Sequence, residues 1–285
     1  MSQSRIEIPA ELLPSDGRFG CGPSKVRSQA LDALLDTGSD FLGTSHRQQP
    51  VRDVVARVRR GMAELFGLPE GYEVALGNGG STAFWDLATF CLIEERSQHC
   101  SFGEFSSKFA AAAKAAPHLG DPEVISSEPG TCPEPRASAE VDSYALTHNE
   151  TSTGVQMPIE RPRDPAGATA EGLVLVDGTS AAGGLRFDPD EVDAYYFAPQ
   201  KSFGSDGGLW LALLSPAAVE RSSRLATGGR WVPAFLDLNV AIESSRLEQT
   251  YNTPALATLF LLAEQVEWFN EHGGLEWAAS RSDRS

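Results

Sequence analysis

The 285-residue chain lacks the features that mark membrane-spanning, secreted and disulfide-stabilised proteins. No apolar run approaches the roughly 18 to 20 residues that a membrane-spanning helix needs, and residues 1–20 contain no apolar core of a secretion signal. The four cysteines form no C-x-x-C pair and have no histidine at zinc-finger spacing, which argues against a disulfide framework and a structural zinc site. We therefore expect a cytoplasmic protein with reduced thiols and no metal.

Positive charge is also scarce in this chain. Lys and Arg number 23 against 39 Asp and Glu, which gives a formal net charge of −16. The negative electrostatic potential of such a chain repels nucleic acid and anionic membranes, so we expect neither as a partner. The apolar fraction of 41% is that of an ordinary folded protein. Any anionic ligand must therefore be held by local groups.

Hydrophobic spacing predicts strands that alternate with helices. Apolar residues recur at intervals of three and four over residues 51–66, which predicts an amphipathic helix, and another helix is predicted over residues 253–272. Buried strands are predicted within residues 72–77, 144–148, 172–177, 194–198 and 207–215. This alternation predicts an α/β fold with a doubly wound, mainly parallel sheet.

Polar segments follow several of these strands, where ligands bind in open α/β sheets. GNGGST at 77–82 offers amides, hydroxyls and a helix N-terminus to a phosphate, but it is equally typical of a simple tight turn. Asp177 ends a buried strand and is compatible with a cap or turn, a metal ligand, or a partner for a cationic ring nitrogen. HNETSTG at 148–154 is compatible with a polar loop or with donors for a ligand.

The apolar run 194–198 leads into Lys201. An ammonium group at the end of a buried strand is costly unless it is paired or its pKa falls, so this lysine is either reactive or salt-bridged, for example to Asp206. The order of the motifs along the chain favours a reactive lysine. A phosphate cradle, an aromatic turn at 103–105, a hydroxyl loop, an aspartate and a lysine are together typical of a pyridoxal-phosphate site.

With these motifs the chain resembles the phosphoserine aminotransferases, a fold-type I, class V family of pyridoxal-phosphate enzymes, in their actinobacterial form. The resemblance rests on FGCGPSKV (19–26), SHR (45–47), GNGGSTAFWD (77–86), GEFSSKF (103–109), HNETSTG (148–154), VDGTSA (176–181), FAPQKSFG (197–204) and YNTP (251–254). It implies a mainly parallel, seven-stranded sheet between helices. It further implies an N-terminal arm (1–15), a large cofactor-binding domain (16–265) and the start of a small C-terminal domain (266–285) that continues beyond the chain in the family.

The resemblance also implies roles for individual residues around pyridoxal 5'-phosphate. Lys201 would join covalently to the cofactor aldehyde and carry the proton of the substrate α-carbon, while Asp177 would keep the ring nitrogen protonated. Thr151 would bind the ring hydroxyl, and Phe105 would stack on the ring where many relatives have tryptophan. The phosphate would be bound by Gly80, Ser81, Thr82 and Gln200, and by Asn252 and Thr253 reaching across a homodimer interface.

His46 and Arg47 match the substrate-binding pair of the family. The guanidinium would grip a carboxylate, and the imidazole would help to bind the substrate phosphate. The implied reaction is transamination of 3-phosphohydroxypyruvate with L-glutamate to O-phospho-L-serine and 2-oxoglutarate in serine biosynthesis, in a homodimer with shared active sites. Use of a related vitamin B6 (pyridoxine) pathway substrate stays open. Ser81 departs from one branch of the family, which has arginine there.

Several alternatives remain at this stage. The chain could be another class V enzyme, such as an alanine:glyoxylate aminotransferase, or a catalytically impaired, truncated remnant that acts only as a folded dimer. A cysteine desulfurase is disfavoured because no cysteine lies in a loop after Lys201. The aromatic residues Phe84, Trp85, Trp268 and Phe269 are assigned to packing.

Overall fold

The computed structural model describes residues 8–13 and 20–284. The N-terminal arm predicted for residues 1–15 therefore lies mostly outside the described residues, as does Phe19 of the first motif. The division between a large and a small domain at residue 265 stays a prediction.

The described residues form helices and strands that alternate for most of the chain. The helices are α1 (Ser28–Asp36), α2 (Gln49–Leu65), α3 (Ser81–Cys91), α4 (Glu104–Ala115), α5 (Pro216–Thr227), α6 (Leu238–Arg246), α7 (Leu256–Glu271) and α8 (Gly274–Ser282). The strands are β1 (Glu73–Asn78), β2 (Ser97–Ser101), β3 (Glu123–Ser126), β4 (Ser143–Thr147), β5 (Asn149–Glu150), β6 (Val155–Gln156), β7 (Leu173–Asp177), β8 (Ala194–Phe197) and β9 (Leu209–Leu214). In this part of the chain, every helix is too short or too polar to cross a membrane.

Seven strands form one sheet in the order β1-β9-β8-β7-β4-β2-β3. The strands from β8 to β3 pair in parallel, whereas β9 runs antiparallel to both of its neighbours, β1 and β8. Because the reversed strand separates them, β1 and β8 point in the same direction. The carboxyl ends of β1, β4, β7 and β8 therefore meet at one edge, and the predicted mainly parallel α/β sheet is confirmed.

The two faces of the sheet pack into two separate hydrophobic layers. In β7, Val174 and Val176 pack in the layer that contains α2 and α7, whereas Leu173 and Leu175 pack in the layer that contains α3 and α6. Strand β9 divides its residues between the layers in the same way. Because both faces are covered, these strands are continuous apolar runs in the sequence. This burial is why the sequence predicts them well.

The helices and buried strands predicted from the sequence are present, but the structure also contains elements that were not predicted, among them β2 and β3. The helices predicted over 51–66 and 253–272 are α2 and α7. Strand β2 was not predicted because its sequence, SQHCS, contains none of the β-branched residues or Phe, Tyr and Trp that are typical of strands. Residues 97–100 of β2 are nevertheless buried.

Gly61 lets α2 and α7 pack closely, and we expect Gly61→Ala to destabilise the fold. A Cβ atom at Gly61 would lie 2.6 Å from Cγ1 of Val266 on α7, and Nδ2 of Asn270 donates to the Gly61 carbonyl at 3.0 Å. Overpacking of this kind costs about 1 to 3 kcal/mol, which exceeds the helix propensity gained from alanine. Urea unfolding should show a lower free energy of unfolding.

The matched control for this substitution is Gly207→Ala, where an added Cβ would meet no atom within 4 Å. Its free energy of unfolding should stay within about 0.5 kcal/mol of the parent chain. Equal stability of the two variants would show that the helices do not depend on the small residue.

Candidate active site

A cavity of about 260 Å³ lies at the carboxyl edge of the sheet. Its walls come from the turns that follow β1, β4, β7 and β8 and from the first turns of α3 and α4. The lining residues are Gly80, Ser81, Thr82, Trp85, Phe105, Thr147, Asn149, Thr151, Asp177, Thr179, Ser180, Gln200 and Lys201.

The structure brings together most of the residues that the sequence analysis selected. Those that line the cavity are Gly80, Ser81, Thr82, Phe105, Thr151, Asp177, Gln200 and Lys201. The predicted substrate-binding pair and the predicted cross-dimer dipeptide do not line it. The selected residues therefore form one group that lines the cavity and another that lies outside it.

Asp177 is buried, with 6% of its surface exposed, and its carboxylate accepts three hydrogen bonds. Oδ1 accepts from the backbone N–H of Thr179 at 2.9 Å and from its hydroxyl at 2.6 Å. Oδ2 accepts from Nε1 of Trp85 at 3.1 Å. Among the described residues, no group of three or more His, Cys, Asp or Glu is placed to hold a metal ion. The carboxylate of Asp177 stabilises the turn that follows β7 through its bonds with Thr179, and it also lines the cavity.

Burial controls the acidity of Asp177. Loss of solvent raises the pKa of its carboxyl above the ordinary value, although the bonds from Thr179 and Trp85 act in the opposite direction. The charge of Glu150 adds to the upward shift. A cation beside this carboxylate would oppose the shift and stabilise the ionised form. The site is therefore suited to a cationic group of a ligand.

Lys201 lies in a turn rather than at the end of a strand. Strand β8 ends at Phe197, and Lys201 lies in the segment that follows it. The prediction that the lysine ends the strand itself is therefore wrong. The lysine is half-buried, and its Nζ donates to the Cys21 carbonyl at 2.9 Å. A Cβ at Gly22, which has φ +127°, would lie 2.8 Å from Cδ of Lys201. Asp206 is exposed and forms no ion pair with this lysine, so a salt bridge of Lys201 is not observed among residues 8–13 and 20–284.

The turn after β1 supplies polar groups for an anion. Helix α3 begins at Ser81, and its first amides have no acceptor within the helix. The hydroxyls of Ser81 and Thr179 lie 2.5 Å apart, and Gln200, whose side-chain amide nitrogen is a donor, lines the same cavity. A Cβ at Gly80 would meet no atom within 4 Å, so the backbone there is open to a ligand. This end of the cavity is suited to a phosphate.

Glu150 fixes the opposite wall of the cavity. It is fully buried, and its carboxylate accepts five hydrogen bonds at 2.8 to 3.3 Å from Phe105, Ser106 and Ser152. Burial acts against ionisation, but the bonds from both serines outweigh it, and the pKa of Glu150 lies below its ordinary value. The charge thus joins the start of α4, with Phe105, to the loop that carries Thr151.

The remaining predicted residues form a separate cluster. Nδ1 of His46 lies 3.0 Å from the hydroxyl of Thr253, whose carbonyl accepts from Nδ2 of Asn78 at 2.8 Å. Arg47 and Asn252 are exposed. Burial, and then the charge of Arg47, lower the pKa of His46. Within the described chain, therefore, His46 contacts Thr253, and none of the four residues lines the cavity.

The sequence analysis missed several cavity residues: Trp85, Thr147, Asn149, Thr179 and Ser180. Trp85 does pack in the core as assigned, stacked on Phe109 with ring centroids 6.3 Å apart, but it also reaches the cavity. The helical spacing of Ser81 and Trp85 could have predicted that Trp85 lines the cavity. Residues four apart lie on one face of a helix, so a ligand-facing Ser81 places Trp85 on the same face.

Residues 19–284 match the family model described as aminotransferase class V. The match includes every residue of the cavity and nearly the whole chain. The chain belongs to the class-V aminotransferase family. The motifs that suggested this family all lie within the matched residues.

Individual relatives agree with this assignment. A phosphoserine aminotransferase of Nocardioides sp. is 63% identical over 281 residues, which cover 98% of this chain and 74% of the relative. One of Rhodococcus jostii is 58% identical over 275 residues, which cover 96% of this chain and 73% of the relative. A solved phosphoserine aminotransferase from Cytophaga hutchinsonii has a TM-score of 0.81 at 25% identity and covers 93% of this chain and 73% of its own. The resemblance inferred from the motifs is confirmed.

The raised pKa of Asp177 predicts a pH-dependent stability. The folded chain binds this proton more tightly than the unfolded chain, so the contribution to the free energy of unfolding is fully present below the ordinary pKa of 3.8. It is lost as the pH rises through the higher folded-state value. Cofactor-free wild type should therefore lose stability relative to Asp177→Asn between acid and neutral pH. Urea unfolding of both chains at several pH values measures this difference, and a constant or growing advantage of wild type would contradict it.

Loss of the Glu150 carboxylate should loosen the wall that carries Phe105. In Glu150→Ala, the amides of Phe105, Ser106 and Ser152 lose their acceptors, and we expect their hydrogen exchange to accelerate on the order of tenfold or more. The control is Glu104→Ala, which removes an exposed neighbour paired with Lys108 at 2.8 Å. Exchange at the three amides should not change in the control. Equal exchange in both variants would mean that Glu150 does not hold this wall.

Proposed function

We propose that this chain is a pyridoxal 5'-phosphate-dependent aminotransferase that interconverts 3-phosphohydroxypyruvate plus L-glutamate with O-phospho-L-serine plus 2-oxoglutarate. One observation carries the proposal. A lysine amine, a buried aspartate and a glycine-rich helix N-terminus line one cavity. The substrate assignment draws on relatives that are 58% and 63% identical and named phosphoserine aminotransferase. Such an enzyme would act in the cytoplasm, in the synthesis of serine.

The residues of the cavity fit the proposed cofactor. The first turn of α3, with Ser81 and Thr82, offers donors to a phosphate, and the side-chain amide of Gln200, whose nitrogen is a further donor, lies in the same lining. Asp177 offers a buried carboxylate to a ring nitrogen. Phe105 offers an aromatic face in the wall, and Thr151, on the loop that Glu150 joins to the start of α4, offers a hydroxyl. Each polar group of the cofactor thus has a partner of suitable chemistry.

Pyridoxal phosphate supplies an aldehyde and a cationic ring that withdraws electrons from the substrate α-carbon. Asp177 keeps a proton on the ring nitrogen, because its carboxylate is ionised most easily beside a cation. Nζ of Lys201 would hold the aldehyde carbon with loss of water and, once the substrate amine has displaced it, would be free to accept and return the proton of the α-carbon. To act in this way, Nζ must leave the Cys21 carbonyl that it contacts at 2.9 Å. Glu150 and Trp85 keep the surrounding walls in place.

The separate cluster at His46 is assigned to the substrate and to a second copy of the chain. Arg47 is exposed and suited to a bidentate contact with a carboxylate. Asn252 and Thr253 lie away from the cavity of their own chain, which favours a role toward the cavity of a partner in a homodimer. Because Thr253 contacts His46, the dipeptide would link the substrate pair of one chain to the cofactor phosphate of the other.

Borohydride reduction and peptide mapping test the proposal directly. The chain has four lysines: Lys25, Lys108, Lys114 and Lys201. After incubation with pyridoxal phosphate and reduction, we expect the cofactor mass on the peptide that contains Lys201. Lys201→Ala should abolish this product and lower the rate of phosphoserine–2-oxoglutarate transamination about 10²- to 10⁴-fold. The visible spectrum of the loaded wild type should change on addition of glutamate or phosphoserine.

Lys114→Ala is the matched control, because this lysine is exposed on α4 and lies outside the cavity lining. It should retain both the product and the rate. Cofactor on another lysine, or none, would overturn the proposal. A spectral response to alanine and glyoxylate, without one to glutamate or phosphoserine, would assign the chain to a different reaction of the family.

A further inference from the structure

Trp85 lies at the border between the hydrophobic core and the cavity. It is 5% exposed on the second turn of α3 and stacks on Phe109, yet it also lines the cavity. Its indole N–H is a donor only, and it donates to Oδ2 of Asp177 at 3.1 Å. A residue that fills the core is thus placed so that its one polar atom acts on the acid of the site.

The two oxygens of Asp177 are stabilised differently. Thr179 supplies both donors of Oδ1, whereas Trp85 is the one donor to Oδ2 among the described residues. Within residues 8–13 and 20–284, no Lys, Arg or His forms an ion pair with this carboxylate. The indole N–H therefore provides one of three hydrogen bonds that stabilise its charge in the absence of a ligand.

The other titratable groups around Asp177 do not replace this donor. Glu150 is negative and raises the pKa of Asp177. The phenols of Tyr195 and Tyr196 on β8 are buried, and their pKa values are raised well above the ordinary value by burial and by the charge of Asp177. The Trp85 indole also acts on the Tyr196 hydroxyl, where it opposes the rise in pKa, and His148 contacts Asp177 through backbone atoms. Lys201 shares the cavity but donates to the Cys21 carbonyl.

We propose that Trp85 is a positioning residue for the acid of the site: its indole N–H holds Oδ2 of Asp177, so that the carboxylate stays ionised and keeps one orientation toward a cationic ring nitrogen. The indole is buried and packs beside Phe109, with ring centroids 6.3 Å apart. This inference rests on the proposed function for the identity of the ring. The hydrogen bond itself is a property of the chain without cofactor.

Trp85→Phe tests the inference, because it keeps an aromatic ring and removes the donor. A lost hydrogen bond to a charged group weakens the ionised form about tenfold or more. The dissociation constant for pyridoxal phosphate at neutral pH should rise by that factor. The pH on the acid side at which half of the bound-cofactor absorbance is lost should move upward by about one unit.

The matched control is Trp210→Phe. Trp210 lies in the same core layer, is 3% exposed and meets Phe84 edge-on at 5.4 Å, but it does not contact Asp177 or line the cavity. Its substitution removes the same indole portion from the core. The pH midpoint should then match wild type. Equal midpoints in wild type, Trp85→Phe and Trp210→Phe would overturn the inference and leave Trp85 as a packing residue.

A second measurement needs neither cofactor nor a folded Trp85 variant. The chain has five tryptophans, so ¹⁵N labelling of the indoles gives five N–H resonances. One of them should titrate as the pH passes through the ionisation of a single carboxyl group, and Asp177→Asn should abolish that titration. The rings of Trp268 and Trp277 lie 4.7 and 5.3 Å from the His272 ring, so a titration of these two indoles with the imidazole should persist in Asp177→Asn. The inference would be overturned if no indole resonance lost a titration in Asp177→Asn. Failure of wild type to bind pyridoxal phosphate would instead count against the proposed function, because the indole measurement does not depend on it.

Discussion

A carboxylate buried at the end of a central strand is the constraint on which this site depends. The sheet places Asp177 below the cavity, and among the described residues three hydrogen bonds and no salt bridge stabilise its charge. A charge that is only partly stabilised lowers the stability of the folded chain and attracts a cation. The same burial that raises the pKa of this group therefore makes it a strong partner for a protonated ring nitrogen. Folding and ligand binding are linked at this one residue.

The topology of the sheet explains how distant residues reach one cavity. Parallel strands end at the same edge, so the turns after β1, β4, β7 and β8 meet although they are spread over more than a hundred residues. The buried charge of Glu150 then joins the start of α4 to the loop before β6. The cluster around His46 lies apart. Under the proposed homodimer, this separation allows one chain to bind most of the cofactor while its partner completes the site.

The sequence predicted the fold where burial is complete on both faces. Strands β8 and β9 are apolar throughout, β7 is apolar up to Asp177, and α2 has a regular apolar stripe, so each was recognised. Strand β2 was missed because SQHCS is polar, although His99 within it is 1% exposed. Its side chains are satisfied by contacts from other elements, such as the bond between Gln98 and the Arg136 carbonyl. Such contacts leave no local pattern in the sequence.

The sequence by itself determined which residue types the site contains: a glycine-rich turn, a hydroxyl loop, a strand-end aspartate and a lysine, in an order typical of one cofactor and one family. Only the tertiary structure decided which atoms meet. It showed that Nζ of Lys201 donates to the Cys21 carbonyl, and that Trp85, a core residue, also donates a hydrogen bond to Asp177. The physical reason is that local spacing reports which face of an element is buried, whereas a hydrogen bond across the core depends on how separate elements pack.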